Sequence, residues 1–178
     1  MSVSTRELGQ LLTFEQGGEE CALPLLRVRE IVELGSITRL PALPSYVLGV
    51  IDVRGDVVPV IDVAAKLGLG GGAVGKRSCV VVTELGFGDA GTVAGVLVDA
   101  VRGVIELSVE ELRAIRADAH AANRRCWWEI ERPQGRIWLL DIDQALDEEP
   151  APSSEPTAGR PLLPEADRTA GGPSVGEP

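Results

Sequence analysis

Residues 49–63 read Gly-Val-Ile-Asp-Val-Arg-Gly-Asp-Val-Val-Pro-Val-Ile-Asp-Val. Two apolar runs rich in β-branched residues flank one tight polar turn, Arg54-Gly55-Asp56. That pattern commits this part of the chain to paired strands. Gly55 beside Asp56 suits a reverse turn and is expected at positive φ. Arg54 is the one cation there, on the shoulder of the turn.

The same grammar recurs along the chain. Leu11–Phe14 and Glu20–Leu23 bracket Gln16-Gly17-Gly18, a hairpin signal. Leu25–Val32 carries apolar residues close to helical spacing, or is a single turn after Pro24. Ile37–Leu40 is a short extended piece closed by Pro41 and Pro44. Tyr46–Val53 and Val57–Asp62 are strands around the Arg54-Gly55-Asp56 turn, and Val63–Leu67 is a helical turn ended by Gly68. Ser78–Thr83 and Thr92–Val98 are strands. Ser108-Val109-Glu110-Glu111 is a capping box that opens a short helix. Trp127–Glu131 and Arg136–Asp141 form a last hairpin around Pro133-Gln134-Gly135. Short strands at this spacing curl into small barrels.

An internal echo divides the chain. Val28-Arg29-Glu30-Ile31-Val32-Glu33-Leu34 returns 73 positions later as Val101-Arg102-Gly103-Val104-Ile105-Glu106-Leu107. The hairpins that follow also rhyme: Gly55 precedes an apolar run ending in Asp62, and Gly135 one ending in Asp141. Two β-units, about 11–67 and 78–146, are expected. Outside them lie a flexible N-terminus, 1–9, and an acidic Pro/Gly-rich segment, 147–178. The latter has seven acidic residues and two arginines and no apolar period. It cannot bury enough apolar area to offset its ordering entropy and is expected to be disordered.

Composition narrows the function. With 178 residues, 44% of them hydrophobic, the chain can build one sizeable core, mostly aliphatic because aromatics are 3%. A net charge of −10 argues against nucleic acid and against an anionic membrane surface as partner. Cys21, Cys79 and Cys126 are scattered, so they suggest small buried hydrophobes rather than a zinc site or disulfide framework. Met1–Gln10 has neither a basic nor an apolar leader segment, and no apolar run reaches the length of a span. A cytoplasmic protein is expected.

Several motifs have residue types that could carry chemistry. Gly70–Lys76 fits GxxxxGK, but Arg77 stands where a magnesium-binding hydroxyl belongs and a β-branched strand follows where a helix should. Asp141 and Asp143 form a DxD pair at a strand end that could ligate a divalent ion, or simply cap the final turn. His120, the single histidine, lies beside Asp118 in a polar connector with no nucleophile placed nearby. Of Trp127 and Trp128, alternation puts one inside and one outside. Glu30 and Arg54 sit at the ends of apolar elements, where a bare charge is costly to bury. A mutual ion pair and independent exposure both satisfy that constraint.

The chain resembles the CheW-like adaptor domain of bacterial chemotaxis. The resemblance runs from Leu12-Thr13-Phe14, through Cys21–Ile31 with its Val28-Arg29-Glu30-Ile31, to Thr38-Arg39-Leu40-Pro41 and Tyr46–Gly55. It continues in Val57–Asp62, Val96–Val101 and Leu139–Ile142. It implies an all-β fold of two SH3-like five-stranded β-barrels with short helical segments, over 10–146. It further implies a non-catalytic, cofactor-free adaptor that couples the cytoplasmic tips of chemoreceptors (methyl-accepting chemotaxis proteins) to a CheA-type histidine kinase at membrane-associated arrays. Other CheW-like domains are further partners on this reading. By resemblance, Glu30 and Arg54 sit in a receptor-binding groove between the barrels. Val28, Ile31 and Gly49 lie in or beside the receptor and kinase surfaces. Asp52 departs from the family's usual Asn and adds negative charge beside Arg54. The connector Ala117–Arg125 is shorter and more polar than usual. The rival reading is a nucleotide- or metal-dependent enzyme using the Gly70–Lys76 loop or Asp141/Asp143.

Overall fold

The structure, a computed structural model, describes residues 7–67, 74–86, 92–118 and 127–147, with the backbone alone for Glu7, 116–118 and Trp127. The connector around His120, Cys126, Gly70–Ala73 of the glycine loop and the acidic segment after Asp147 lie outside the described residues.

Ten strands form: β1 (Gln10–Gln16), β2 (Glu19–Pro24), β3 (Val28–Glu33), β4 (Val47–Val53), β5 (Asp56–Ile61), β6 (Cys79–Leu85), β7 (Thr92–Val98), β8 (Ala100–Glu106), β9 (Trp127–Arg132) and β10 (Gly135–Leu140). Three short helices accompany them: α1 (Val63–Lys66), α2 (Val109–Asp118) and α3 (Ile142–Asp147). The strands make two five-stranded sheets, β8-β1-β2-β10-β9 and β3-β6-β7-β5-β4. The all-β expectation therefore holds. Each sheet curls in the SH3-like manner but stays open, because its two end strands share no ladder. Those ends nonetheless approach each other. Arg54, after β4, reaches Glu30 of β3, and Arg132 of β9 reaches the Glu106 carbonyl of β8.

The halves of the sequence are not the two sheets. Hairpin β1–β2 belongs to the first half but pairs with β8 and, in parallel, with β10; hairpin β6–β7 belongs to the second half but pairs with β3 and β5. The expected contiguous units, 11–67 and 78–146, are thus exchanged, each sheet taking two strands from one half and three from the other. The cause lies at Pro24 and a single 3-10 turn, Leu25–Arg27, which carry the chain from one sheet to the other. Thr83 locks the crossing by donating its hydroxyl to the Arg27 carbonyl (3.0 Å). The helical alternative for Leu25–Val32 is confined to that turn. From Val28 on, β-branched residues extend and pair with β6.

Alternation along the strands fills three cores. Leu12, Phe14, Leu23, Ile61, Val81, Val96 and Leu140 meet between the sheets. Leu11, Ala22, Trp128, Ile137 and Leu139 fill the inside of the first sheet. Val53, Val58, Val60, Val80, Val82 and Leu97 fill the inside of the second. Central strands such as β6 are therefore buried on both faces and read as unbroken apolar runs. The N-terminal stretch expected to be loose is partly anchored: Leu8 is buried in the first sheet's core, and the Leu107 amide donates to the Gly9 carbonyl.

The echo maps onto the exchange. β3 and β8 are the same kind of end strand in opposite sheets, and α1 and α3 follow equivalent hairpins. Asp62 caps α1 through the Ala65 amide, and Asp141 caps α3 through the Gln144 amide.

Candidate functional site

The strongest site expectation concerned Glu30 and Arg54, and the structure brings them together. Arg54 Nε donates to Glu30 Oε2 at 3.1 Å, with Arg54 82% exposed and Glu30 27%. The turn that presents Arg54 is strained in a defined way. Arg54 has φ of 55° and Gly55 of 93°, the left-handed pair that a two-residue hairpin turn demands. Gly55 accepts this without cost and Arg54 does not. The Asp52 carboxylate stabilises the turn by accepting the Gly55 amide at 3.1 Å. Asp52 thus works as a turn cap, a role open equally to the Asn usual at this position.

Beneath the ion pair lies an open hollow of about 280 Å³. Val53, Val58, Val82 and Val93 form its floor, and Arg29, Glu30, Arg54 and Asp56 its rim. The floor is one end of the second sheet's core, and Val53, Val58 and Val82 are buried in it, so the hollow is walled mainly by its polar rim. Arg29 pairs with Glu84 at 3.5 Å, both about half exposed.

The other three expected residues do not join this site. β3 alternates, so Glu30 pairs with Val82 on the hollow's side while Ile31 pairs with Val81 on the opposite face, where it is 44% exposed. Val28 is half-buried against the core between the sheets. Gly49 is buried at φ 145°, and a Cβ there would collide with the Thr38 carbonyl oxygen and lie 2.7 Å from Ile37 Cγ2. It is the seat of the Thr38–Val50 bridge, and so a packing position with no exposed surface of its own. Sequence reasoning missed Arg29, Asp56 and the four valines. Asp56 was visible in the turn, but nothing distinguishes the floor valines from other core valines.

The rival chemistry finds no assembled site among the described residues. Asp143 is taken up by buried Arg27 (2.6 Å) and by the Gly86 amide (2.8 Å), while Asp141 caps α3. The DxD pair is therefore a structural clamp rather than two free ligands. At the end of the glycine loop, Gly75 and Ser78 close a turn on each other and strand β6 follows, so no helix N-terminus is offered to a phosphate. Burial pushes the Cys21 thiol up to about 12, with Glu19, Asp99 and Glu20 adding to it, and burial also raises Cys79. Both behave as the expected small hydrophobes. Trp128 is buried, and Trp138 is half-buried beneath Arg136, whose guanidinium carbon lies 5.9 Å from the ring centre.

The equivalent place in the first sheet is closed. Helix α2 lies there, opened by the expected capping box: the Glu111 amide donates to Ser108 Oγ and the Ser108 amide to Glu111 Oε2. Ile115 and Leu112 pack on Leu107, Trp128 and Ile130. Arg132 fastens the helix through Glu111 (2.7 and 3.1 Å) and the Glu106 carbonyl (2.6 Å). Burial favours the neutral Glu111 acid, but the Ser108 and Arg132 hydrogen bonds outweigh it and hold the carboxyl below its ordinary value.

The chain is thus an all-β protein of two exchanged, open five-stranded sheets, with an open hollow beside an exposed ion pair. The CheW-like domain family matches residues 10–153, and the chain belongs to that family. A chemotaxis protein CheW of Rhizobium meliloti (strain 1021) is 30% identical over 141 residues, 79% of this chain and 88% of that protein. Protein FrzA of Myxococcus xanthus is 32% identical over 113 residues, 63% of this chain and 68% of that protein. The crystal structure of the scaffolding protein TtCheW from Thermoanaerobacter tengcongensis superposes with a TM-score of 0.62 at 24% identity, covering 77% of this chain and 86% of that one, a likeness of fold. No described helix is long and apolar enough to cross a membrane.

Proposed function

We propose that this chain is a non-catalytic cytoplasmic adaptor that couples chemoreceptor tips to a CheA-type histidine kinase in membrane-associated arrays. On this reading the Glu30–Arg54 hollow docks the receptor. Neither nucleic acid nor a membrane surface is a partner, and the −10 net charge supports that. The observation that carries the docking role is the open valine-floored end of the second sheet, where the first sheet is sealed by α2. Val53, Val58 and Val82 are themselves buried, so what a partner can engage there is the exposed rim of Arg54, Arg29 and Asp56.

Arg54→Glu tests the reading. It places like charges together on an exposed turn, so folding should survive. Affinity for a chemoreceptor tip, read by calorimetry with a melting curve alongside, should fall by about 1–2 kcal/mol. Unaltered affinity in a folded variant would remove the hollow from the receptor interface.

A further inference from the structure

We infer that α3 is a clasp that ties the first sheet to the second and comes off as one unit, leaving both sheets folded. α3 continues from β10 of the first sheet, yet its fastenings belong elsewhere. Arg27 Nη1, from the turn where the chain crosses between the sheets, donates to the Asp143 carboxylate at 2.6 Å. The Gly86 amide, just beyond β6 of the second sheet, donates to the same carboxylate at 2.8 Å. At the other end of the helix, the Leu146 carbonyl accepts from Lys66 Nζ of α1, which follows β5 of the second sheet. The Lys66 ammonium also lies 4.9 Å from the Tyr46 ring centre. Arg27 and Lys66 are both buried, so these links are built into the interior rather than laid over it.

The equivalent helix is held differently. Setting Asp141 on Asp62, the two caps, places Asp143 on Ala64 and Ala145 on Lys66. Both alanines are buried. α1 buries Val63, Ala64 and Lys66 out of four residues, whereas α3 buries only Ile142 and Ala145 out of six. Charged groups from outside the helix therefore hold α3 where burial holds α1. A buried ion pair roughly breaks even against apolar packing of the same shape, because desolvation offsets the attraction. Such links fix geometry more than they add stability. Six residues also make no stable helix by themselves. Once a fastening fails the helix goes with it, while each sheet keeps its own core.

Amide hydrogen exchange on the full chain tests this. The Ala145 amide bonds to the Asp141 carbonyl at 2.9 Å and reports on α3. Corrected for intrinsic rates, it should exchange at least about tenfold faster than the amides of β6 and β10. Lys66→Met keeps a long apolar side chain in place but removes the donor to Leu146. It should speed Ala145 by roughly another tenfold and leave β6 and β10 unchanged. Exchange of Ala145 in step with the strands in the parent protein would put α3 inside the global folding unit and overturn the inference. So would a Lys66→Met protein in which helix and strands speed up together, or in which neither changes. Should Lys66→Met fail to fold, the parent measurement decides alone.

Discussion

Arg132 and Arg54 stand at the ends of equivalent hairpins and each reaches across the open seam of its own sheet, yet they do different work. Arg132 is 19% exposed and ties together β8, β9 and the helix that seals the first core. Arg54 is 82% exposed, makes one ion pair, and borders an open hollow with no helix packed over it among the described residues. One repeat thus spends its seam residue on closing a core, and the other leaves its seam available. The core between the sheets is built from both halves and is common to the two ends.

The sharpest way to break the comparison is to damage the framework of the open end. Gly49→Asp forces a side chain into the Thr38 carbonyl at a φ that disfavours any side chain. It should cost more than about 3 kcal/mol and abolish the native circular dichroism signal near physiological temperature. A folded Gly49→Asp protein with weakened partner binding would instead make Gly49 an interface residue. Next comes the sealed seam. Arg132→Ala removes three hydrogen bonds and leaves Glu111 and the Glu106 carbonyl short of a partner. We expect a loss of about 2–3 kcal/mol in urea unfolding. A loss near zero would mean that the two seams are alike.

Acid sharpens the same contrast. Glu111 is held below the ordinary 4.5 in the native state, so the unfolded chain takes up its proton first as pH falls. Its contribution is complete above the unfolded value and disappears as pH drops from about 4.5 through the depressed native value. Glu111→Gln should therefore be less stable than the parent at neutral pH and lose less of its remaining stability on acidification to that range. Parallel stability curves for the two proteins would refute the linkage.

The legible part of this molecule was local. Runs of Val and Ile gave the strands, the Ser108–Glu111 spacing gave the cap of α2, and the echo of 28–34 in 101–107 gave the duplication. The pairing of Glu30 with Arg54 was one of two arrangements that the sequence allowed, and the structure selects it. What could not be read was tertiary. A strand's alternation is the same whichever hairpin lies beside it, so the exchange of β1–β2 with β6–β7 leaves no mark on the sequence. Gly49 was placed in or beside the partner surfaces by resemblance alone; a close approach of strands there was legible, but not that Ile37–Thr38 is the segment that crowds it. The valine floor was invisible because nothing in the sequence separates a valine at the end of a core from one in its middle.

The smallest expected effect is the most telling. Arg54→Ala removes an ion pair in which one partner is almost fully in water, so screening and side-chain entropy cancel most of its Coulomb energy. It also removes a non-glycine side chain from positive φ without relieving it, since alanine is strained there too. The turn keeps its Asp52 cap and Gly55 in either case. Stability should thus change by about 0–1 kcal/mol, well below the Arg132→Ala loss measured in the same denaturant. Arg54→Gly carries the same loss of charge and does relieve the strain, so it should be at least as stable as Arg54→Ala. If Arg54→Ala instead costs as much as Arg132→Ala, the exposed pair holds the second sheet shut, and the difference between sealed and open ends is one of appearance only.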